Sequence, residues 1–233
     1  MEHLGNRAAL QRAQPVTAPL VQALARAVRK NVCTPIGIGF SGGIDSTLLA
    51  QVCHREECTF MLYTVGFPGA KDILAAQTIA DVMDWPLTIK VLTYEHMEPL
   101  LRNVMRVTGK RDPVSVSIGY VAASLASVAQ EDVLLTGFGP EEPSSANVNI
   151  TLGHHFGKEM RFPFLDPEIP RMMGEQRKDI FRQAAVALGI PREFAFRTPC
   201  AVPDGSGVDA AIAALAREQG VEKHAYLSRL SAL

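Results

Sequence analysis

Two hydrophobic patterns alternate along the first 142 residues. Short continuous apolar runs are typical of strands that are buried on both faces, and apolar residues that recur every three or four positions are typical of helices. The apolar runs predict strands at 35–40, 58–65, 87–92 and 133–136. The periodic stretches between them predict helices at 17–30, 45–55, 72–84, 94–107 and 117–129.

The order of these elements predicts the fold class. Strands that alternate with helices form a parallel sheet with helices on both faces, so we predict an α/β fold with a doubly wound parallel sheet. After about residue 143 the pattern becomes mainly helical, with helices predicted at 167–173, 176–188, 208–219 and 224–230.

One turn in this pattern has the composition of a phosphate-binding loop. The segment FSGGIDST (40–47) follows the first predicted strand and opens the next helix. Gly42 and Gly43 lack Cβ atoms, so their N–H groups can approach an anion closely. Ser41 and Ser46 add hydroxyl donors, and the N-terminus of the helix directs its dipole at the same place.

A carboxylate in this loop points to a metal ion. The loop lacks the Lys that grips phosphates in the GxxxxGK[ST] motif, and Asp45 follows the glycines instead. A carboxylate beside phosphates is favourable when Mg²⁺ lies between them. Ligands of doubly wound sheets bind beyond the carboxyl ends of the strands, where TGFGPEE (136–142) ends the fourth strand. We therefore expect Asp45 and Glu141, or Glu142, to share one Mg²⁺.

Several segments together carry a family resemblance. The loop resembles the SGGxDS PP-loop of N-type ATP pyrophosphatases, which cleave ATP between the α- and β-phosphates. With its other motifs the chain resembles the synthetase domain of the asparagine synthetase family over roughly residues 33–210. The matching segments are SGGIDS (41–46), VGFPGAKD (65–72), TGFGPEE (136–142, on the family's SGEGSDE), RFPFLD (161–166, on RxPFLD) and, more weakly, DGSG (204–207, on DGVG).

This resemblance implies a fold, a cofactor pair and a site. The implied fold is the adenine nucleotide α-hydrolase-like type, as a single domain over residues 1–233. It divides into an N-terminal helical segment (1–32), a nucleotide-binding sheet (33–142) and a mainly helical C-terminal part (143–233). The implied cofactors are ATP and Mg²⁺, with Val65 at the adenine pocket. Implied nucleotide contacts are Ser41, Gly42, Gly43, Asp45, Ser46, Val65, Thr136 and Gly137.

The chain also departs from the family pattern. Phe138 stands where the family has the carboxylate that is assigned to amine transfer, and Pro199 stands where it has a catalytic Lys. Arg197 is the nearest candidate for the missing positive charge, and we predict Asp45, Glu141 and Arg197 as the catalytic residues. Other candidate cations are Arg192, Lys158 and Arg161, and for each of the four a structural ion pair is the alternative.

Composition narrows the class of partners. The 233-residue chain is 47% hydrophobic and 20% charged, with a net charge of -1, which indicates a sizeable core. It has no extended basic patch, so nucleic acid is an unlikely partner, and no run of about 18 apolar residues that would predict a membrane span. The four cysteines include no CxxC pair, which is typical of reduced thiols. The N-terminal segment is polar, so it predicts no signal peptide, and we expect a cytoplasmic protein.

These observations predict an ATP-dependent, AMP-forming ligase that adenylates a carboxylate, releases pyrophosphate and then transfers an amine. Position 2 is Glu rather than the Cys nucleophile of the family's glutaminase domain, so we expect no glutaminase domain. The expected partners are a small-molecule carboxylate substrate and an amine donor, with a separate ammonia-supplying partner and a homo-oligomer left open. Two alternatives also remain open: a non-catalytic nucleotide-binding regulator, and a sulfur-transfer or tRNA-modifying PP-loop enzyme that uses Cys200.

Overall fold

The predicted parallel sheet is present. A computed structural model of the protein describes residues 17–32, 35–138, 143–173, 177–198 and 201–232. Its strands are β1 (Ile36–Gly39), β2 (Phe60–Gly66), β3 (Leu87–Val91), β4 (Val133–Leu135) and β5 (Glu159–Arg161). They form one sheet in the order β3-β2-β1-β4-β5, and each neighbouring pair is parallel. This confirms the α/β, doubly wound fold.

Helices connect and cover these strands. Among the described residues, 3₁₀ turns are found at Tyr94–His96 and Pro163–Leu165. The α-helices before β5 are α1 (Thr17–Asn31), α2 (Ile44–Arg55), α3 (Lys71–Met83), α4 (Met97–Thr108), α5 (Pro113–Val128) and α6 (Pro143–His155). Those after β5 are α7 (Glu168–Met173), α8 (Arg177–Ala187), α9 (Arg192–Ala195), α10 (Val202–Gly205), α11 (Val208–Glu218) and α12 (Lys223–Ala232). Within the described ranges, none of the helices has the length and apolar character needed to span a bilayer.

The two faces of the sheet pack against different helices. Alternate strand residues such as Ile36, Ile38 and Leu62 enter a core shared with α1, α2, α3 and α8. The opposite face presents Tyr63, Leu134 and Met160 to a smaller cluster with the end of α5. A third cluster joins α4, α5, α6, α11 and α12. Helices therefore cover both faces, as the buried strands require.

The strand order fixes where a ligand can bind. The chain leaves β1 for β2 and β3 on one side, then crosses back to β4 and β5 on the other. The direction of winding changes between β1 and β4, which pair through Gly37 with Leu134 and Ile38 with Leu135. The crevice beyond the carboxyl ends of these two strands is the switch point of the sheet, the usual ligand site of this class of fold.

The fifth strand is absent from the sequence predictions. β5 has three residues, Glu159, Met160 and Arg161, and Met160 is its one buried side chain. Hydrophobic periodicity cannot identify a strand this short. Its backbone pairing with β4 extends the sheet into the part of the chain that the sequence predicts as mainly helical.

Candidate functional site

The turn after β1 is held by its own serine hydroxyls. The Ser41 N–H donates to Ser46 Oγ at 3.3 Å, and the Gly43 N–H donates to Ser41 Oγ at 3.3 Å. The Ser46 hydroxyl in turn donates to the Gly43 carbonyl at 3.1 Å. These distances lie at the long end of the hydrogen-bond range, so the network shapes the loop with weak bonds. An anionic acceptor would make stronger bonds with the same donors.

Gly42 seats this loop on α3. Its φ of +67° lies in the left-handed region, which disfavours any side chain. A Cβ at this position would also lie 2.8 Å from Ala75 Cβ and 3.0 Å from the backbone N of Ala76. Both the backbone conformation and the contact with α3 therefore require glycine.

The loops that follow β1 and β4 are in direct contact, as the sequence predicts. A Cβ on Gly137 would lie 3.0 Å from the backbone N of Ser46 and 3.1 Å from Asp45 Cβ. Asp45 stands in the first turn of α2, whose N-cap residue is Gly43, a residue without a side chain to cap the helix start. The half-buried Asp45 side chain thus lies at the switch point between the two loops.

Thr136 and Val65 also lie at this edge of the sheet. Thr136 is 5% exposed, and its Oγ1 is buried without a hydrogen-bond partner among the described residues. A buried hydroxyl left unpaired costs about 1–3 kcal/mol, which a bound ligand can recover. Val65 is buried on β2, two residues beyond Tyr63, which pairs with Gly39 at the end of β1. Its position is compatible with the predicted adenine contact.

Arg197 is the candidate cation that reaches the loop. Its Nε donates to the Gly42 carbonyl at 3.2 Å, and its Nη2 donates to the Ser41 carbonyl at 3.4 Å. The guanidinium therefore holds the carbonyl side of the turn. This places a permanent positive charge beside the glycines, although 155 residues separate Arg197 from Gly42 in the chain.

The other candidate cations have different partners. Arg161 forms an ion pair with Glu159 and donates from Nη1 to the Asn31 carbonyl at the end of α1. Arg192 lies over the ring of Phe196 at 4.3 Å, and Lys158 Nζ donates to the Gln130 carbonyl at 3.4 Å. Their described contacts agree with structural roles for these three residues.

Asp72 lies on α3, the helix that contacts the loop, and no sequence pattern singles it out. It lies in the first turn of α3 and is 5% exposed. Burial raises the pKa of this carboxyl to about 7, and the nearby charge of Arg197 opposes the shift. A Cβ on Gly205 would lie within 2.5 Å of Cγ and Oδ2 of Asp72, so the carboxyl packs directly on that glycine. In the sequence, Asp72 and Gly205 belong to two separate segments that match the family. That placement does not by itself indicate that the two residues are in contact.

Four residues of the predicted chemistry lie outside the described residues: Glu141, Glu142, Pro199 and Cys200. The pairing of Asp45 with Glu141 therefore remains a prediction. Among the described residues, no group of three or more His, Cys, Asp or Glu side chains could hold a metal ion. A Mg²⁺ that is held by one or two carboxylates together with substrate phosphates needs no such group, and Asp45 fits that role.

Comparison with known proteins identifies the family. Residues 16–143, which are 128 of the 233 residues, match the asparagine synthase family. The chain belongs to this family. The match covers α1, the loop at 40–47 and the strands β1 to β4, so it includes the loop after β1 and most of the loop after β4.

A relative and a solved structure agree with this assignment. A protein of Methanocaldococcus jannaschii provisionally named asparagine synthetase [glutamine-hydrolyzing] 1 is 30% identical over 212 residues, covering 75% of this chain and 36% of that protein. The chain thus spans about a third of the length of this relative. The structure of NMN synthetase from Francisella tularensis has a TM-score of 0.53 and 15% identity, covering 93% of this chain and 85% of the other. At that identity the likeness concerns the fold alone.

Proposed function

We propose that this protein is an ATP-dependent, AMP-forming ligase that activates a small carboxylate by adenylation and then passes the acyl group to an amine. The observation that carries the proposal is the phosphate loop itself. Gly42 is seated on α3, Gly137 packs against Asp45 and Ser46, and Arg197 holds the carbonyl side of the turn. The Gly43 N–H and the Ser46 hydroxyl make long, weak bonds within the loop, and they can exchange these for stronger bonds to a polyphosphate at the α2 N-terminus.

In the first step, a carboxylate oxygen of the substrate attacks the α-phosphorus of ATP. The bond from that phosphorus to the bridging oxygen breaks, and pyrophosphate leaves with the electron pair. The N–H groups of Gly42 and Gly43 and the hydroxyl of Ser46 would bind the pyrophosphate as its charge increases. Thr136 Oγ1 would gain a partner from the nucleotide, and Val65 would contact the adenine.

Metal binding would involve Asp45, with Glu141 as its proposed partner. When bound, Mg²⁺ supplies positive charge that neutralises the leaving pyrophosphate. Asp45 would hold the ion from the first turn of α2, where the helix dipole also favours a carboxylate.

Arg197 is proposed to replace the family Lys that is absent at Pro199. The guanidinium lies next to the loop that would hold the phosphates, and its planar set of N–H donors suits phosphate oxygens. It would stabilise the negative charge that develops as the acyl-adenylate forms. Preorganised charge of this kind commonly contributes about 10²–10³-fold in rate.

The amine-transfer half of the reaction differs from asparagine synthesis. An amine nitrogen would attack the acyl carbon, lose a proton, and displace AMP with the electron pair of the broken C–O bond. Phe138 follows Gly137 at the switch point and cannot accept that proton. We therefore expect poor conversion of aspartate and ammonia to asparagine, and a different carboxylate as the substrate.

The proposed function is tested first by nucleotide binding and then by product formation. Calorimetry should detect Mg-ATP binding to the purified chain. Mass spectrometry after incubation with Mg-ATP, ammonia and a library of carboxylates should then detect AMP, pyrophosphate and an amide. Gly42→Ala should abolish both signals, because it forces a Cβ into Ala75 and strains the turn.

Gly109→Ala is the matched control. Gly109 also has a positive φ, of +69°, but a Cβ there meets nothing within 4 Å. It ends α4, away from the loop, and should leave Mg-ATP binding at the parental level. Absence of Mg-ATP binding at millimolar nucleotide would exclude the proposed function. Binding without pyrophosphate release for any acceptor would favour a nucleotide-binding regulator.

A further inference from the structure

The turn at the end of α2 brings two cysteines together. The Cys58 N–H donates to the Cys53 carbonyl at 3.0 Å, and the Glu57 N–H donates to the His54 carbonyl at 3.1 Å. Glu57 has a left-handed φ of +57°. These two bonds and the left-handed residue form a Schellman motif, which sets the residue after the left-handed one against the third helical residue from the end. In α2 those two positions are Cys58 and Cys53.

The backbone bond limits the separation of the two cysteines. With ordinary covalent geometry on either side, a 3.0 Å bond from the Cys58 N to the Cys53 O keeps the two Cα atoms within about 7 Å of each other. Disulfides usually join Cα atoms that are about 4.4–6.8 Å apart. The thiols also interact directly, because their mutual hydrogen bond raises the pKa of Cys53 and lowers the pKa of Cys58. The pair therefore meets the distance requirement of a disulfide.

Both sides of the turn are anchored in the fold. Cys53 is fully buried in the core that α2 shares with the sheet. On the other side, the Thr59 carbonyl accepts a hydrogen bond from the Ile36 N–H at 3.1 Å, which holds the chain next to Cys58 against the start of β1. This anchoring keeps each thiol beside the other, so the pair has a high effective concentration.

The two thiols differ in their access to solvent. Cys58 is half-buried, and its thiol donates only weakly, to the Glu56 carbonyl at 3.9 Å. Its lowered pKa favours the thiolate, which is the nucleophile in thiol–disulfide exchange. Cys53 has no exposed surface, so a dissolved oxidant does not reach it, whereas a sulfur that is attached to Cys58 does.

We propose that Cys53 and Cys58 form a reversible redox modification site that takes a low-molecular-weight disulfide, such as glutathione disulfide, as its oxidant. The Cys58 thiolate attacks one sulfur of the oxidant, forms a mixed disulfide and releases one thiolate. Cys53 then loses its proton and attacks the Cys58 sulfur, which releases the second thiolate. The product is a Cys53–Cys58 disulfide, and the oxidant receives the two electrons that the pair loses. This site lies at the opposite end of α2 from the phosphate loop and does not depend on the proposed function.

Peptide mapping of the oxidised protein tests this pair. The folded protein is incubated with glutathione disulfide at about pH 8, near the ordinary pKa of a thiol. Free thiols are then blocked with N-ethylmaleimide, and the protein is digested with trypsin. Trypsin cleaves after Arg55, between the two cysteines, so the disulfide should join peptide 31–55 to peptide 56–71 in the mass spectrum. Reduction before digestion should separate the two peptides.

Cys33→Ser is the matched control, because peptide 31–55 also contains Cys33. This variant should keep the joined peptides, whereas Cys58→Ser should lose them. Cys53→Ala should retain the mixed disulfide as a glutathione adduct on Cys58, and Cys58→Ser should show no adduct on Cys53. Circular dichroism should report a folded protein for each variant, and Cys33→Ser with Cys58→Ser decides the pairing without the substitution in the core.

Two results would overturn the proposal. If the oxidised parent lacks the joined peptides, or if Cys33→Ser loses them, Cys53 and Cys58 are not a redox pair. If Cys58→Ser carries a glutathione adduct on Cys53, the proposed order of attack is wrong.

Discussion

At the scale of single residues, the two acidic groups of the site have different environments. Asp45 is half-buried in the first turn of α2, beside the backbone donors that would hold phosphates. Asp72 is buried on Gly205 with a pKa raised to about 7. A carboxylate is best suited to a metal ion where water and phosphate oxygens can complete the coordination, and Asp45 has that environment. Asp72 instead lies where burial favours the protonated carboxyl.

Replacing Asp45 should weaken nucleotide binding in the presence of Mg²⁺ but not in its absence. Asp45→Asn removes the charge that would hold Mg²⁺, so we expect Mg-ATP affinity and pyrophosphate release to fall about 10–100-fold. AMP affinity without Mg²⁺ should stay unchanged or increase slightly, because a negative charge near the phosphate is lost. Calorimetry with and without Mg²⁺ measures both. Parental Mg-ATP binding and cleavage by Asp45→Asn would contradict the metal role.

The raised pKa of Asp72 predicts a pH-dependent stability. Its folded-state pKa of about 7 exceeds the ordinary value of 3.8, so folding favours the protonated form. The stability from this group is complete below about pH 4 and is lost as the pH rises through 7, by an amount on the order of 4 kcal/mol. Asp72→Asn lacks this titration. The parent's unfolding free energy in urea should therefore fall relative to that of Asp72→Asn between pH 4 and 8, and a constant difference would refute the prediction.

Among the secondary-structure elements, the sequence predicts the strands and helices that have an extended hydrophobic pattern. The strands β1 to β4 and helices such as α3 and α5 are found within a few residues of their predicted positions, because continuous apolar runs mark the strands and recurring apolar positions mark the helices. The contact between Gly137 and Asp45 also follows from the predicted sheet. β5 could not be predicted, since three residues define no period. Nor could the seat of Asp72 on Gly205, because it depends on how α10 packs against α3.

The packing between α6 and β5 leaves no room for an added methyl group at Gly153. A Cβ on Gly153 would overlap Met160 Cγ and lie 2.9 Å from the Lys158 carbonyl. Gly153→Ala should lower the unfolding free energy by about 1–3 kcal/mol through overpacking. Met160→Ala also destabilises alone, but it makes room for the methyl group. The double variant should therefore lose less than the sum of the two single changes, and additive losses in urea titrations would argue against this contact.

At the scale of the whole molecule, the switch point connects distant parts of the sheet and its helices. β1 and β4 form the centre of the site, α3 lies under the loop, and the segment after α9 closes it through Arg197. Nucleotide binding to such a site should stabilise the segments that meet there more than the periphery, because a ligand adds free energy only to states that keep the site formed.

Hydrogen exchange should map this pattern. With saturating Mg-ATP, amide exchange should slow at residues 41–46, at the start of α3 and at 136–138. The turn from Cys53 to Cys58, at the opposite end of α2, should change little, because it lies at the far end of the helix that the loop begins. Equal protection of both ends of α2, or protection at the far turn alone, would place the nucleotide elsewhere.

The contact of Arg197 with the Ser41 and Gly42 carbonyls also has a consequence for synthesis on the ribosome. The loop and its glycines emerge early, but Arg197 and the seat for Asp72 emerge only after about 160 further residues have been made. Domains form as units once their chain is available, and an incomplete chain lacks the groups that orient this loop. A nascent chain that stops before residue 197 should therefore bind nucleotide poorly, even with its sheet complete. Nucleotide should therefore act as a folding ligand for this protein only after residue 197 has been made.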